Sequence, residues 1–176
     1  MAARDPKAQM RRFLLLFPIC LLAGFGLLEV RPVAEGIATF TRSLVTLSGG
    51  LIHLFGGKVI VAGAVLLSPA NGFGVKVENG CNAVNVTILL WAAMLTYPAP
   101  WVDKLKGLAA GSLALHGVNL LRIITLYYLG QYNKDWFDFA HYYLWECLIV
   151  LDTLVIFWFW ASLVRRWGRR RHAQVA

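Results

Sequence analysis

The stretch Glu78-Asn79-Gly80-Cys81-Asn82-Ala83-Val84-Asn85 joins a short extended segment to a long apolar run. It places a cysteine at the predicted mouth of a membrane helix, where hydrocarbon ends and water begins. The unpaired backbone N–H groups at a helix N-terminus favour thiolate over thiol, which makes Cys81 a candidate nucleophile. The competing interpretation is that Cys81 only packs, as free cysteines commonly do.

The composition indicates a polytopic membrane protein. The chain has 176 residues, 59% of them hydrophobic, and several apolar runs approach the roughly 20 residues that an α-helix needs to span a bilayer. The formal net charge is +8, but the basic residues flank the apolar runs without any recognition motif, which argues against a nucleic-acid partner. The spacing of Cys20, Cys81 and Cys147 fits neither a zinc site nor a disulfide framework, so no metal and no cofactor are predicted.

The predicted fold is all-α, with about four transmembrane helices, one helix on the outer membrane face and a small β-hairpin, in a single domain of residues 1–176. Residues Val33–Phe55 carry apolar side chains at helical spacing with polar residues between them, which favours the surface helix; a further span is the alternative. The spans are expected at about Phe13–Leu28, Cys81–Tyr97, Leu105–Leu129 and Ala140–Val164.

The predicted hairpin lies immediately before Cys81. Residues Val59–Leu67 and Phe73–Glu78 are expected to form its two strands, with Ser68–Gly72 as the turn. The second strand alternates apolar side chains with glycine or charged residues, a pattern typical of a half-buried strand. The hairpin therefore leads directly into the candidate nucleophile.

Basic residues predict the topology. Residues 1–12 form a basic stub, Lys104 and Lys106 lie in a predicted short loop, and residues 165–176 form a basic tail. Eleven of the seventeen Lys and Arg residues fall on that side of the membrane and five on the other. The positive-inside rule then places both termini in the cytoplasm, and Cys81 on the outer side.

With this topology, three reactive side chains lie at a similar depth. Cys81 begins span two, His141 begins span four, and Arg122 lies in the outer part of span three, about 10 Å below its outer end and within reach of a long side chain. A thiol nucleophile, an imidazole base and a fixed cation are what cysteine-based acyl transfer requires. Taken singly, His141 can be an interfacial residue, and Arg122 a structural cation held by Asn119 or Glu146.

Several other polar residues accompany these three. Asn82 and Asn85 follow Cys81, and either amide can donate to an oxyanion or bond to backbone. Asn119 lies one turn before Arg122 and is a further supporting residue. Deeper in the spans, His116 is expected to be structural and to have Glu146 as one possible partner. Asp152 is too deep for direct chemistry.

The runs Asn79-Gly80-Cys81-Asn82, Asn119-Leu120-Leu121-Arg122-Ile123 and Ala140-His141 resemble the exosortase/archaeosortase family, and most closely its short exosortase H subfamily. The resemblance extends from the hairpin to the end of the last span. It implies an integral membrane cysteine transpeptidase that cuts C-terminal sorting signals of exported proteins and passes them to an acceptor. By position, it implies that Cys81 is the nucleophile, Arg122 the transition-state cation and His141 the acid/base.

The resemblance also implies the partners and the location. Its substrates are exported proteins that end in a short motif, an apolar span and a basic cluster, and its location is the bacterial plasma membrane with the active site facing outward. The chain departs from the family pattern in two respects. Many members carry Ser-Gly after the cysteine, where this chain has Asn82-Ala83, and many have more spans.

Two other classes of function remain open at this point. A haem-binding or electron-transfer subunit would use His53, His116 or His141 as axial ligands, but it requires two histidines at equal depth, and His116 lies deeper than the others. A non-enzymatic membrane assembly protein would function without the thiol of Cys81.

Overall fold

The computed structural model describes residues 6–173, so residues 1–5 of the predicted stub and 174–176 of the predicted tail lie outside the described residues. Within that range the chain is mainly helical, with one π-helical turn at Ala140–Leu144 and one small sheet. The predicted all-α membrane fold class is confirmed. The α-helices are α1 Pro6–Leu28, α2 Arg31–Leu54, α3 Val84–Thr96, α4 Trp101–Tyr132, α5 Lys134–Phe139 and α6 Trp145–Ala173.

Within residues 6–173, three helical segments are long and apolar enough to cross a membrane: Lys7–Leu28, Trp101–Tyr132 and Lys134–Arg169. The predicted span at Cys81–Tyr97 is shorter than expected. Its helix, α3, has 13 residues and is therefore about 20 Å long. It begins only at Val84, because residues 80–83 form a turn, and it ends before Pro98. Besides the amphipathic α2, the described residues thus contain three candidate spans and one short apolar helix in place of four similar spans.

Helix α2 packs one face against α4 and the sheet. Its buried residues recur at helical spacing, as expected of an amphipathic helix. Pro32 lies in the first turn of α2, where the missing N–H has no intrahelical partner to lose. The buried residues of α2 are Thr41, Leu44, Val45, Ser48, Gly49 and Ile52.

The predicted hairpin is a three-stranded antiparallel meander of β1 Ile60–Ala62, β2 Val65–Leu67 and β3 Gly74–Lys76. The expectation of a single strand over Val59–Leu67 was wrong. Gly63, at φ +62°, turns the chain back so that Ala62 pairs with Val65. Positive φ at the first position of a two-residue turn suits glycine, which lacks the Cβ that disfavours it elsewhere.

The sheet packs on α2 and α4 through a cluster that we call the sheet-side core. Leu66 and Val75 contribute from β2 and β3, and both are buried. The hydroxyl of Tyr127 on α4 donates to the carbonyl of Lys58 (2.7 Å) and so ties the start of the sheet to that helix. The other buried members of this core are Val45, Ile52, Val59, Val77 and Ile123.

A second cluster, the helical core, joins α3, α4 and α6. Gly107 of α4 lies so close to the indole of Trp160 that there is no room for a Cβ, and a Cβ at Gly111 would fit only tightly, 3.1 Å from Leu90 and 3.2 Å from Met94. Small residues at i and i+4 permit this close helix approach. Other buried members are Ala83, Leu115, Ile149, Ala161 and Val164.

Two charged segments differ from prediction. Helix α4 begins at Trp101, so Lys104 and Lys106 lie on the helix and not in a loop. Lys104 is buried and donates to the carbonyl of Leu95 at the end of α3. At the other end of the chain, residues 165–173 continue α6, so the described part of the basic tail is helical.

The last predicted span also begins earlier than expected. Helix α5 starts at Lys134, where Asn133 caps it by accepting from the backbone N–H of Asp135 (2.8 Å) and of Trp136 (3.1 Å). It continues through the π-helical turn into α6. The whole segment is 36 residues long, against the expected Ala140–Val164.

Candidate active site

Cys81 lies in a tight turn between β3 and α3. Its backbone N–H donates to the carbonyl of Glu78 (3.0 Å). The turn requires positive φ at Gly80 (+99°) and at Ala83 (+60°), the residue that precedes the first residue of α3. The thiol is therefore three residues ahead of the helix and not at its first turn.

Asn82 holds this turn in place. Its side chain is 1% exposed. Its amide nitrogen donates to the hydroxyl of Thr41 on α2 (3.0 Å) and to the side-chain oxygen of Asn79 (3.4 Å), and its own oxygen accepts from the backbone N–H of Val84 (3.1 Å). These bonds fix the turn to α2 and to the start of α3. Both amide hydrogens of Asn82 are therefore occupied.

The structure brings the three predicted reactive side chains together. The Sγ of Cys81 lies 3.3 Å from Nε2 of His141 and 3.8 Å from Nη2 of Arg122. These residues come from the turn, from the π-helical turn and from α4, respectively. The first distance is within hydrogen-bond range for sulfur, so a proton can pass directly from thiol to imidazole.

Glu146 is a fourth member of this site. Its Oε1 lies 2.7 Å from Nη2 of Arg122, whose side chain is fully buried, whereas the Glu146 side chain is 52% exposed. Of the two partners suggested for Glu146 by the sequence, Arg122 is therefore the one it binds. Nε and Nη1 of Arg122 have no hydrogen-bond partner within residues 6–173.

The other two supporting residues, Asn119 and Asn85, have different surroundings. Asn119 is fully buried, one turn before Arg122, and its amide has no partner among the described residues. Asn85 is exposed and, with Asn79, lines a cavity of about 410 Å³ between α2 and the turn. Its role as an oxyanion donor remains a prediction.

The histidines proposed as haem ligands lie in three separate environments. His53 contacts the carbonyl of Gly57 (3.2 Å). His116 packs against the ring of Phe40 (4.9 Å between ring centres) and contacts the hydroxyl of Thr87 (3.5 Å). His141 contacts Cys81. No two of these histidines are therefore placed as a facing pair of ligands in the described part of the chain.

Burial determines the resting state of the thiol. It raises the pKa of Cys81 above its ordinary value; the charge of Arg122 opposes this rise and that of Glu146 adds to it. The sequence argument from the helix N-terminus gave the opposite direction, because it placed Cys81 at the first turn of α3. At neutral pH the thiol is protonated, and its activation needs a base such as His141.

The comparisons agree with the resemblance. The sequence profile described as transmembrane exosortase matches residues 8–167, a range that includes Cys81, Arg122 and His141. No curated protein and no solved structure matches the chain. The profile covers most of the sequence, from the first long helix through α6. The chain therefore belongs to the transmembrane exosortase family.

Proposed function

We propose that this exosortase is a membrane cysteine transpeptidase that cleaves C-terminal sorting signals of exported proteins and transfers them to an acceptor. The observation that supports this most directly is the position of one sulfur atom. Sγ of Cys81 lies within reach of an imidazole (3.3 Å) and of a buried guanidinium (3.8 Å) at the same time. A thiol that lies beside an imidazole base and a cation is arranged as an activated cysteine nucleophile is.

The first half of the proposed reaction forms a thioester. Nε2 of His141 takes the proton of Cys81, and the sulfur attacks the scissile carbonyl of the sorting signal. Negative charge develops on the carbonyl oxygen, where Arg122 can stabilise it. The C–N bond then breaks, and the departing amine takes the proton from His141.

The second half releases the acyl group. An amine of the acceptor, or water, attacks the thioester while His141 accepts the proton of the attacking group. The C–S bond breaks, and Cys81 recovers its proton from His141. The imidazole thus ends in its starting state, as required of a catalyst that acts first as base and then as acid.

For this role, the imidazole of His141 must be neutral with its proton on Nδ1, so that Nε2 can accept. Nδ1 is buried and has no hydrogen-bond partner within residues 6–173. The ring itself packs between Phe137 (5.5 Å between centroids) and Tyr142 (4.7 Å). These aromatic contacts support a fixed ring orientation toward the sulfur.

The proposed topology has both termini in the cytoplasm and Cys81 accessible from outside, in the bacterial plasma membrane. A membrane-impermeant maleimide should label Cys81 in intact spheroplasts of a strain whose protein carries Cys20→Ala and Cys147→Ala. The same background with Cys81→Ala is the control for non-specific labelling. Labelling that requires permeabilisation would contradict this orientation.

The activity itself can be tested with purified protein in bilayers. The substrate is an exported protein from the same genome that ends in a short motif, an apolar span and a basic cluster. The wild-type protein should cleave it and form a hydroxylamine-sensitive thioester, and Cys81→Ala should do neither. Equal processing by Cys81→Ala would instead favour an assembly role without catalysis.

A further inference from the structure

His141 contacts the sulfur of Cys81, and Glu146 contacts the guanidinium of Arg122, although the two residues are five apart on one helical segment. In a regular α-helix, residues five apart point about 140° away from each other, because each residue turns the helix by about 100°. Two such side chains would not reach the same site. The sequence spacing alone therefore excludes Glu146 from the face of His141.

The π-helical turn at Ala140–Leu144 removes this difficulty. The backbone N–H of Trp145 bonds to the carbonyl of Ala140, five residues earlier. Residues five apart are then roughly one turn apart and share a face. His141 lies within this turn and Glu146 just after it. The irregular turn is thus what allows one helix to present both an imidazole and a carboxylate to Cys81 and Arg122.

The carboxylate of Glu146 gives Arg122 a negatively charged partner. A guanidinium that is fully buried in a membrane helix is costly unless it is paired. Its Nη2 lies 2.7 Å from Glu146 and 3.8 Å from the sulfur of Cys81. The same nitrogen thus contacts both groups, so the position of the carboxylate determines where the guanidinium points.

We infer that Glu146 is a positioning residue that directs Nη2 of Arg122 toward Cys81, and that the π-helical turn is what brings it there. The inference deepens the proposed function, since it rests on Arg122 acting on the developing oxyanion. Glu146 itself does not contact Cys81 in this arrangement. It acts through Arg122.

Glu146 also has an electrostatic effect on the thiol. The charged or titratable groups around Cys81 are Arg122 from α4, Glu146 from α6, His141 from the π-helical turn and Glu78 from its own turn. Of these, Arg122 lowers the pKa of Cys81, whereas Glu146 and the charge of Glu78 raise it. Removing the charge of Glu146 leaves Arg122 less opposed, so the pKa of the thiol should fall.

The test uses Glu146→Gln, which keeps an oxygen acceptor for Arg122 but removes the charge. Asp152→Asn on the same helix is the matched control. All variants carry Cys20→Ala and Cys147→Ala, so that iodoacetamide reports on Cys81 alone. We measure the alkylation rate against pH in bilayers and, separately, cleavage of the sorting-signal substrate.

For Glu146→Gln we expect alkylation at neutral pH to rise by about tenfold, because a lower pKa puts more of Cys81 in the reactive thiolate form. We expect cleavage to decrease at the same time, because Arg122 is held less firmly. Unfolding would also expose the thiol and slow cleavage, so thermal unfolding is measured alongside, and Glu146→Gln should unfold at the same temperature as the parent protein. Asp152→Asn should match the parent protein in both measurements.

An unchanged alkylation profile in Glu146→Gln would overturn the inference, whatever happens to cleavage, because a merely structural carboxylate leaves the thiol unaffected. Glu146→Asp provides a second check: with its charge kept but its reach shortened, it should lose cleavage without gaining reactivity. If the parent protein cleaves no sorting signal, the proposed function fails. The alkylation arm still tests the position of Arg122 in that case.

Discussion

The two cores of this protein differ in the kind of side chain that is buried in or beside them. The helical core joins α3, α4 and α6 through apolar side chains and two glycines. Beside the sheet-side core lies a group of buried polar residues, including Arg122, Asn119 and Asn82. Several of their polar atoms have no partner in the described chain. The comparison indicates that the apolar contacts of the helical core stabilise the fold, whereas the buried polar groups beside the sheet-side core reduce stability and hold the reactive side chains in place.

If that division is correct, changing His141 should abolish chemistry without unfolding the protein. His141→Ala should slow thioester formation by about 10²–10⁴-fold, the usual size of a general-base contribution. The double variant with Cys81→Ala should be no worse than Cys81→Ala alone, because both residues act on one step. Single-turnover kinetics and thermal unfolding together provide the measurement. Thioester formation at the wild-type rate would show that His141 is only an interfacial residue.

Arg122→Lys tests whether the buried cation acts by charge or by geometry. Lysine keeps the charge, but its compact ammonium on a flexible stem lacks the planar guanidinium that holds Nη2 between Glu146 and Cys81. We expect cleavage to fall by about 10²–10³-fold, as when an oxyanion donor is lost. Initial rates at saturating substrate provide the measurement. Near-normal turnover would reduce Arg122 to a counter-ion for Glu146.

The opposite behaviour is expected in the helical core. Gly107→Ala places a methyl group against Trp160, whose indole N–H donates to the carbonyl of Asp103 (3.0 Å). Overpacking of this kind costs about 1–3 kcal/mol. Gly117→Ala on the same helix is the matched control, because nothing lies within 4 Å of its added Cβ. In detergent, Gly107→Ala should have a lower free energy of unfolding than Gly117→Ala. Equal values for the two variants would contradict the close packing at Gly107.

The smallest effect is expected where the two regions meet, at Ala83. Its left-handed backbone costs a non-glycine residue about 1–2 kcal/mol, but its buried methyl group contributes about 0.8 kcal/mol. Ala83→Gly should therefore change the free energy of unfolding by less than about 1 kcal/mol. Ala83→Val should destabilise more strongly, because a β-branched residue tolerates positive φ poorly. A thermal shift series would detect the difference, and similar values for both would argue against strain at this position.

The sequence predicted the parts of this protein that depend on regular patterns. Apolar runs located the long helices, and the spacing of Cys81, Arg122 and His141 predicted that they would meet, as they do. Glu146 was named as a possible partner of Arg122 but not as part of the reactive site, since helical periodicity places it off the face of His141 and nothing in residues 140–144 predicts a π-helical turn. A buried arginine in need of a counter-ion was the one available signal.

Other differences arose where charge was taken as a sign of a loop. Lys104 was predicted to lie in the loop between two spans, but it lies on α4 and donates to the carbonyl of Leu95. A long aliphatic side chain can carry its charge out of a helix in this way. The actual break lies at Pro98 and Pro100, just before the first residue of α4. The expected single strand over Val59–Leu67 is divided into β1 and β2 by the turn at Gly63.

The shortness of α3 has a consequence for how a substrate approaches. A helix of 13 residues covers about 20 Å of a hydrocarbon slab that is about 30 Å thick. If α3 crosses the membrane, either the bilayer around it thins or the turn that carries Cys81 lies below the level of the headgroups. In the second case the thiol lies toward the membrane interior. For the proposed transpeptidase, a peptide bond next to a substrate's own membrane helix can then reach the sulfur while that helix stays in the lipid.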